Sequence, residues 1–99
     1  MRIIYTQSVK SQLYKIKEYI TRDSREIALR HLKNIKSKIE LIGKYPYIGK
    51  VNTTANNPSI RDFVILGYKV IYKVNEKSIT LLAIYKYIDF DESSLEEIG

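Results

Sequence analysis

The side chains of this sequence that could do chemistry are basic and phenolic. It contains 17 Lys and Arg, nine Tyr, one His and no Cys. That composition excludes a disulfide framework, a cysteine nucleophile and a thiolate metal site. Lysine and arginine side chains attract polyanions such as nucleic acids or acidic protein segments, and tyrosine rings can stack on bases.

The charges are unevenly distributed along the chain. Residues 1–88 contain all 17 Lys and Arg and six acids, which gives a net charge of +11. Residues 89–99 contain five acids and no base, which gives −5. We therefore predict a basic domain over 1–88 and an acidic C-terminal tail over 89–99. The basic domain favours a polyanionic partner, either nucleic acid or an acidic protein segment, although lysines that only maintain solubility remain the alternative.

Apolar spacing predicts the elements that must position these residues. Residues 2–6 are typical of a short strand. Apolar residues then recur every three or four positions in two amphipathic helices, which form an antiparallel hairpin because the link between them is very short. Ser8 is the expected N-cap of the first helix and Asp23 that of the second, which Gly43 is expected to end.

In the second half of the chain, apolar and polar residues alternate as they do in β-strands. Residues 44–59 contain both prolines and predict a loop. Three β-rich runs follow and predict three antiparallel strands. The element order is β-α-α-β-β-β, and the fold class is α+β, with an antiparallel helical hairpin packed on one face of a small, mainly antiparallel sheet.

The register of the last hairpin predicts which side chains share a face. If its turn has two residues, Lys69 lies opposite Ile84. An uncharged face that includes Tyr85 then packs on the helices. The opposite face, open and basic, is the predicted partner-binding surface, formed by Lys69, Ile71, Lys73, Leu82, Ile84 and Lys86. Arg61 joins this surface only if the turn around Gly67 has three residues, so both positions of Arg61 stay open.

Three segments of the sequence resemble the RelE/ParE superfamily of type II toxins. They are LIGKYPYIGK at 41–50, IRDF at 60–63 and GYKVIYKVNEKSITLLAIYK at 67–86, in the order and at the spacing of the superfamily. The resemblance covers most of residues 1–88. It implies a toxin that is neutralised by a cognate antitoxin, whose acidic or amphipathic segment we expect on the basic face.

The superfamily divides into two activities. RelE-like members cut mRNA on the ribosome, whereas ParE-like members bind DNA gyrase and trap it. The long helical hairpin and the Tyr-Pro-x-x-Gly segment resemble the ParE-like branch. Where RelE-like members have His and Arg after the last strand, this sequence has AIYKYIDF, with Lys86 near the family His. Cleavage of RNA by attack of the 2′-hydroxyl needs a base, an acid and a cation at the phosphate. Lys69 and Arg61 are the candidate charges, Lys69 is also a candidate base because neighbouring cations depress its pKa, and Tyr85 or Tyr87 is the candidate acid. The nuclease set is nevertheless incomplete.

We accordingly expect a ParE-like inhibitor of DNA gyrase that is not an enzyme. The first alternative is a ribosome-dependent mRNA endonuclease, whose candidate catalytic residues are Arg61, Lys69, Lys86 and Tyr85. The second is a small basic nucleic-acid-binding protein without toxicity. No metal-ligand spacing and no Gly-rich phosphate loop is present, so we expect no cofactor and no metal.

Two further expectations concern location and the tail. No apolar run approaches the roughly 18 residues that span a bilayer, and the N-terminus lacks the features of a signal peptide, so we expect a cytoplasmic protein without a membrane partner. The acidic tail is expected to be a solvated terminus. A short docked helix, held by Leu95 and Ile98, is the alternative.

Overall fold

Two helices and five strands follow one another in the computed structural model, which describes residues 1–87. The elements are β1 (Arg2–Tyr5), α1 (Gln7–Thr21), α2 (Arg25–Lys44), β2 (Lys50–Val51), β3 (Ile60–Ile65), β4 (Tyr68–Val74) and β5 (Ser78–Lys86). The predicted α+β order is confirmed, and β2 is a short addition inside the predicted loop. The predicted acidic tail, 89–99, lies outside the described residues.

The sheet has the strand order β1-β5-β4-β3-β2. β1 runs parallel to β5, and the other neighbours are antiparallel. Both helices pack on one face and bury an aliphatic core against it, formed by Val9, Leu13, Ile35, Ile39, Ile42, Ile65, Val70, Tyr72, Val74, Ile79, Leu81 and Ile84. Within residues 1–87, neither helix is long and apolar enough to cross a membrane.

The first helix begins earlier than predicted. Thr6, and not Ser8, is its N-cap, since the Thr6 side chain accepts a hydrogen bond from the Val9 amide. The same hydroxyl donates to the Leu81 carbonyl over 2.8 Å. The Thr6 side chain thus also links the start of α1 to β5. A local capping pattern in the sequence contains no information about this contact with β5.

The second helix begins at Ser24, whose side chain caps Ile27, so the Asp23 prediction was wrong by one position. Gly43 does not end the helix but lies buried in its last turn. A Cβ at Gly43 would lie 2.7 Å from the Met1 carbonyl oxygen. The glycine therefore allows the start of the chain to approach α2, and the Met1 amino group donates to the Gly43 carbonyl over 2.7 Å.

A bulge interrupts the β4–β5 hairpin. Near the turn the register is as predicted, with Lys73 opposite Thr80 and Tyr72 opposite Leu81. The register then shifts by one residue, so that Ile71 lies opposite Ala83. Leu82 is the extra residue, and it remains exposed. One inserted residue reverses the alternation of faces along the rest of β5.

The shifted register corrects three predictions about β5. Ile84 lies opposite Val70 and is only 1% exposed, so it belongs to the core and not to the open face. Tyr85, predicted to point inward, is 43% exposed and lies opposite Lys69. Lys86 lies opposite Tyr68, whose side chain packs against the core, so register places Lys86 on the helical side of the sheet.

The β3–β4 turn decides the position of Arg61. The turn has two residues, Leu66 and Gly67, with φ angles of 49° and 84°. Two successive positive φ angles match the twist of a tight hairpin. Arg61 consequently lies opposite Tyr72, on the helical face. Of the two positions that the sequence left open for Arg61, the one on the basic face is therefore wrong.

Candidate functional site

The open face is the side of the sheet turned away from the helices. Its strands align three cross-strand rows, which are Tyr85–Lys69–Val64, Ala83–Ile71–Asp62 and Thr80–Lys73–Ile60. Of the predicted binding residues, the face keeps Lys69, Ile71 and Lys73, with the exposed Leu82 at the bulge, and loses Arg61, Ile84 and Lys86. It remains a surface on which lysines lie among apolar side chains.

The row nearest the β3–β4 turn combines charge with exposed aromatic and aliphatic groups. The Lys69 ammonium lies 4.4 Å from the centre of the Tyr87 ring. The Tyr87 amide donates to the Gly67 carbonyl over 2.8 Å, which holds this ring at the end of the row. Val64 is 48% exposed beside Lys69. A cation on an aromatic face and open apolar groups favour a partner that carries both negative charge and apolar side chains.

The acid on the open face is largely hidden. Asp62 is 8% exposed and accepts a hydrogen bond from the Asn52 side-chain amide over 2.7 Å. Lys50 of β2 lies opposite it. The carboxylate is therefore shielded from direct contact with a partner, and the cations of the face are the exposed Lys50 and Lys73 and the half-buried Lys69.

Arg61 contacts the loop that precedes β2. Its guanidinium donates to the Gly49 carbonyl over 2.8 Å and lies 4.7 Å from the centre of the Tyr47 ring. Its Nε is buried and has no partner among the described residues. These contacts hold the loop that contains the Tyr-Pro-x-x-Gly segment against β3.

Tyr72 binds the same loop through its hydroxyl group. Its hydroxyl accepts a hydrogen bond from the Gly49 amide over 3.0 Å and donates to the Pro46 carbonyl over 2.8 Å. Burial raises the pKa of Tyr72, although the Gly49 hydrogen bond and the charge of Arg61 oppose that rise. The Tyr-Pro-x-x-Gly segment is thus held by Arg61 of β3 and Tyr72 of β4, and it is not part of the open face.

The candidate nuclease residues are not brought together. Lys69 and Tyr85 are cross-strand neighbours, whereas Arg61 and Lys86 lie on the helical side of the sheet. Tyr87, the alternative candidate acid, follows Tyr85 at the two-residue spacing of a strand and contacts Lys69. Within residues 1–87, no three His, Cys, Asp or Glu side chains are placed to hold a metal ion.

A concave surface lies between the helices. This helical groove has a volume of about 1020 Å³, and Tyr5 of β1 is among its lining residues. Its walls are apolar where Leu13, Leu29 and Leu32 lie. Four lysines and one acid also line it, namely Lys10, Lys17, Lys33, Lys36 and Glu40. The groove and the open face are therefore two basic surfaces on opposite sides of the molecule.

The family model for the ParE toxin of the type II toxin–antitoxin system parDE matches residues 3–86. The chain belongs to this family. As a ParE toxin, it is the toxin component of a type II toxin–antitoxin system and has a cognate antitoxin as its partner, as the sequence motifs implied.

The fold of this ParE toxin is similar to that of a solved structure described as the chromosomal ParDE TA system from P. aeruginosa. The TM-score is 0.74, the sequences are 19% identical, and the match covers 89% of this chain and 97% of that chain. At this identity the likeness shows a shared fold. No curated protein matches this sequence.

Proposed function

We propose that this ParE toxin acts by binding DNA gyrase and not by cutting mRNA. One observation carries the proposal against cleavage. The Arg61 guanidinium is engaged by Gly49 and Tyr47 on the helical side, so it does not join Lys69 and Tyr85 on the open face. Attack of a 2′-hydroxyl builds negative charge on the phosphate, which a nuclease site must stabilise. Gyrase as the target rests on the resemblance to the ParE-like branch.

The cognate antitoxin, in this proposal, neutralises the toxin by covering the open face. Three lysines and several exposed apolar groups share that face, and the largely buried Asp62 accepts a hydrogen bond from Asn52. An acidic, amphipathic segment would pair its carboxylates with the lysines and its apolar side chains with Val64, Leu82 and Tyr85. Such a segment gains both charge-assisted contacts and apolar burial in one interface.

Two assays on the full chain separate the candidate targets. In a supercoiling assay with purified gyrase, we expect the toxin to inhibit the enzyme. In a translation reaction with purified ribosomes and mRNA, primer extension should show no new cuts. Discrete ribosome-dependent cuts that disappear in Lys69→Ala would overturn the proposal in favour of the endonuclease. Failure in both assays, together with salt-dependent binding to DNA, would favour the nucleic-acid-binding alternative.

A further inference from the structure

The described part of the chain ends beside the open face. Tyr87 is the last described residue, and its contacts with Gly67 and Lys69 place it at the row that carries Val64 and Tyr85. Residues 88–99 follow it and contain five acids and no base. The segment with the opposite charge to the face is thus attached at the edge of that face.

We propose that the acidic tail is an internal occupant of the open face and competes there with other acidic segments. The competition with the antitoxin rests on the proposed function, whereas the contact between tail and face does not. Apolar groups are present on both partners, with Phe90, Leu95 and Ile98 in the tail. The exposed counterparts are Val64, Leu82 and Tyr85.

The tail is long enough for this contact in either of two conformations. Leu95 is eight residues beyond Tyr87. Eight residues span about 12 Å as a helix and about 26 Å as an extended chain. Successive rows of the face are about 7 Å apart, so Leu95 reaches the first two rows in both cases.

Because the tail is tethered to the domain, even a weak attraction is sufficient for it to occupy the open face. Attraction between separate exposed charges is largely screened beyond about 8 Å at physiological salt. A segment attached by a short linker, however, meets its site at an effective concentration in roughly the millimolar range. A free acidic segment must exceed that concentration, scaled by its own affinity, to displace the tail.

The helical groove carries four lysines, so charge alone would not direct the tail to the open face. The point of departure decides between them. The Tyr87 side chain lies on the open face, where it contacts Lys69. The helical groove is lined by residues of α1, α2 and β1 and lies on the opposite side of the sheet from Lys69, so the tail would have to pass the edge of the sheet to enter it.

Cysteine trapping in the full chain tests the contact, because the natural sequence has no Cys. The test variant combines Leu95→Cys with Val64→Cys on the open face, and the control combines Leu95→Cys with Leu29→Cys in the helical groove. Val64 and Leu29 are both 48% exposed. Both lie toward the same end of the sheet, since the His31 ring of α2 is 5.7 Å from the ring of Tyr68, the first residue of β4. Circular dichroism checks that each variant keeps the fold.

We expect the intramolecular disulfide to form about tenfold faster in the open-face pair than in the control pair at low salt, because tethered docking raises the local concentration of the thiol. The rate should fall toward the control when the tail acids are replaced by amides, at Asp89, Asp91, Glu92, Glu96 and Glu97. Three results would overturn the proposed contact: equal rates of disulfide formation in the two pairs, a faster rate in the control pair, or a rate that does not change when the tail acids are replaced.

Poly-L-glutamate serves as the probe of competition. The full chain with the amide tail should bind it more tightly than the natural chain, and Lys69→Glu with Lys73→Glu should abolish the difference. Trapping without a change in poly-L-glutamate affinity would overturn the competition while the contact stands. Because neither readout involves gyrase or antitoxin, failure here is distinguishable from failure of the proposed function.

Discussion

Tyr85 lies directly opposite Lys69, at the position that a regular hairpin would give to Ile84. The bulge at Leu82 produces this pairing, and it changes the chemistry of the open face. A phenol replaces an aliphatic group beside the ammonium that also contacts the Tyr87 ring. The face therefore gains aromatic surface and a hydroxyl, while the core gains a fully apolar side chain.

The first prediction concerns the hairpin register. Ile84→Ala should lower the free energy of unfolding by about 2–5 kcal/mol, because it opens a cavity in the core. Tyr85→Ala should lower it by less than about 1 kcal/mol, because it removes only an exposed cross-strand pair. Urea titration measures both. Equal losses, or a larger loss in Tyr85→Ala, would support a hairpin without the bulge.

The second prediction concerns antitoxin association. Lys69→Glu with Lys73→Glu should lower the association rate constant by about tenfold or more at low salt, since charge steers the encounter. Lys33→Glu with Lys36→Glu is the matched control, because it changes the net charge equally on the helical groove. Stopped-flow measurements at low and high salt compare the two. Equal slowing by both pairs would argue that the antitoxin is steered by net charge and not by the open face.

The third prediction concerns Arg61. Arg61→Met keeps the length of the side chain and removes its donors, so we expect a loss of about 1–3 kcal/mol of stability from the unpaired Gly49 carbonyl and the loosened loop. The antitoxin association rate should not change, because Arg61 lies on the helical side. Denaturant titration and stopped-flow on the same preparation provide the two readouts. A stable variant with slower association would return Arg61 to the binding surface.

The fourth prediction concerns Tyr72 and pH. Burial raises the pKa of Tyr72 in the folded protein, so folding favours the protonated phenol. The resulting stabilisation is complete below the unfolded-state pKa of about 10 and is lost as the pH rises through the higher folded-state pKa. The free energy of unfolding should therefore fall more steeply above about pH 10 in the natural protein than in Tyr72→Phe.

The same variant has a cost at neutral pH. Tyr72→Phe leaves the buried Gly49 amide without its acceptor and the Pro46 carbonyl without its donor. We expect about 1–3 kcal/mol of lost stability at pH 7. Urea titrations at several pH values measure both effects. Parallel pH dependence in the two proteins would contradict a raised pKa for Tyr72.

Much of the fold could be predicted from the sequence because its signals are local. Apolar residues every three or four positions determine the two helices, and alternation determines β3, β4 and β5. The division between a basic domain and an acidic tail, and the motifs that identify a ParE toxin, are also properties of the sequence itself. Lys69, Ile71 and Lys73 were placed on the correct face because β4 alternates without interruption.

The faces at the end of β5 depended on tertiary structure. The alternation of apolar and polar residues over 78–86 does not predict the bulge. Contacts from distant residues flank it, since the Thr6 hydroxyl donates to the Leu81 carbonyl, and the Gln12 side-chain oxygen accepts from the Ile84 amide, over sequence separations of 75 and 72 residues. A one-residue shift reverses every following side chain. For this reason Ile84, Tyr85 and Lys86 were placed on the wrong faces.

Arg61 shows the same division between local and distant information. The sequence determined that an arginine lies near the start of β3, but its face depended on whether the turn at Gly67 has two or three residues. The structure has two, and the Gly49 carbonyl and the Tyr47 ring then engage the guanidinium. Composition and periodicity thus determined the elements and the charge of this toxin. Packing between residues far apart in the chain decided which side chains reach the open face, because one bulge or one turn residue changes the face of a whole strand segment.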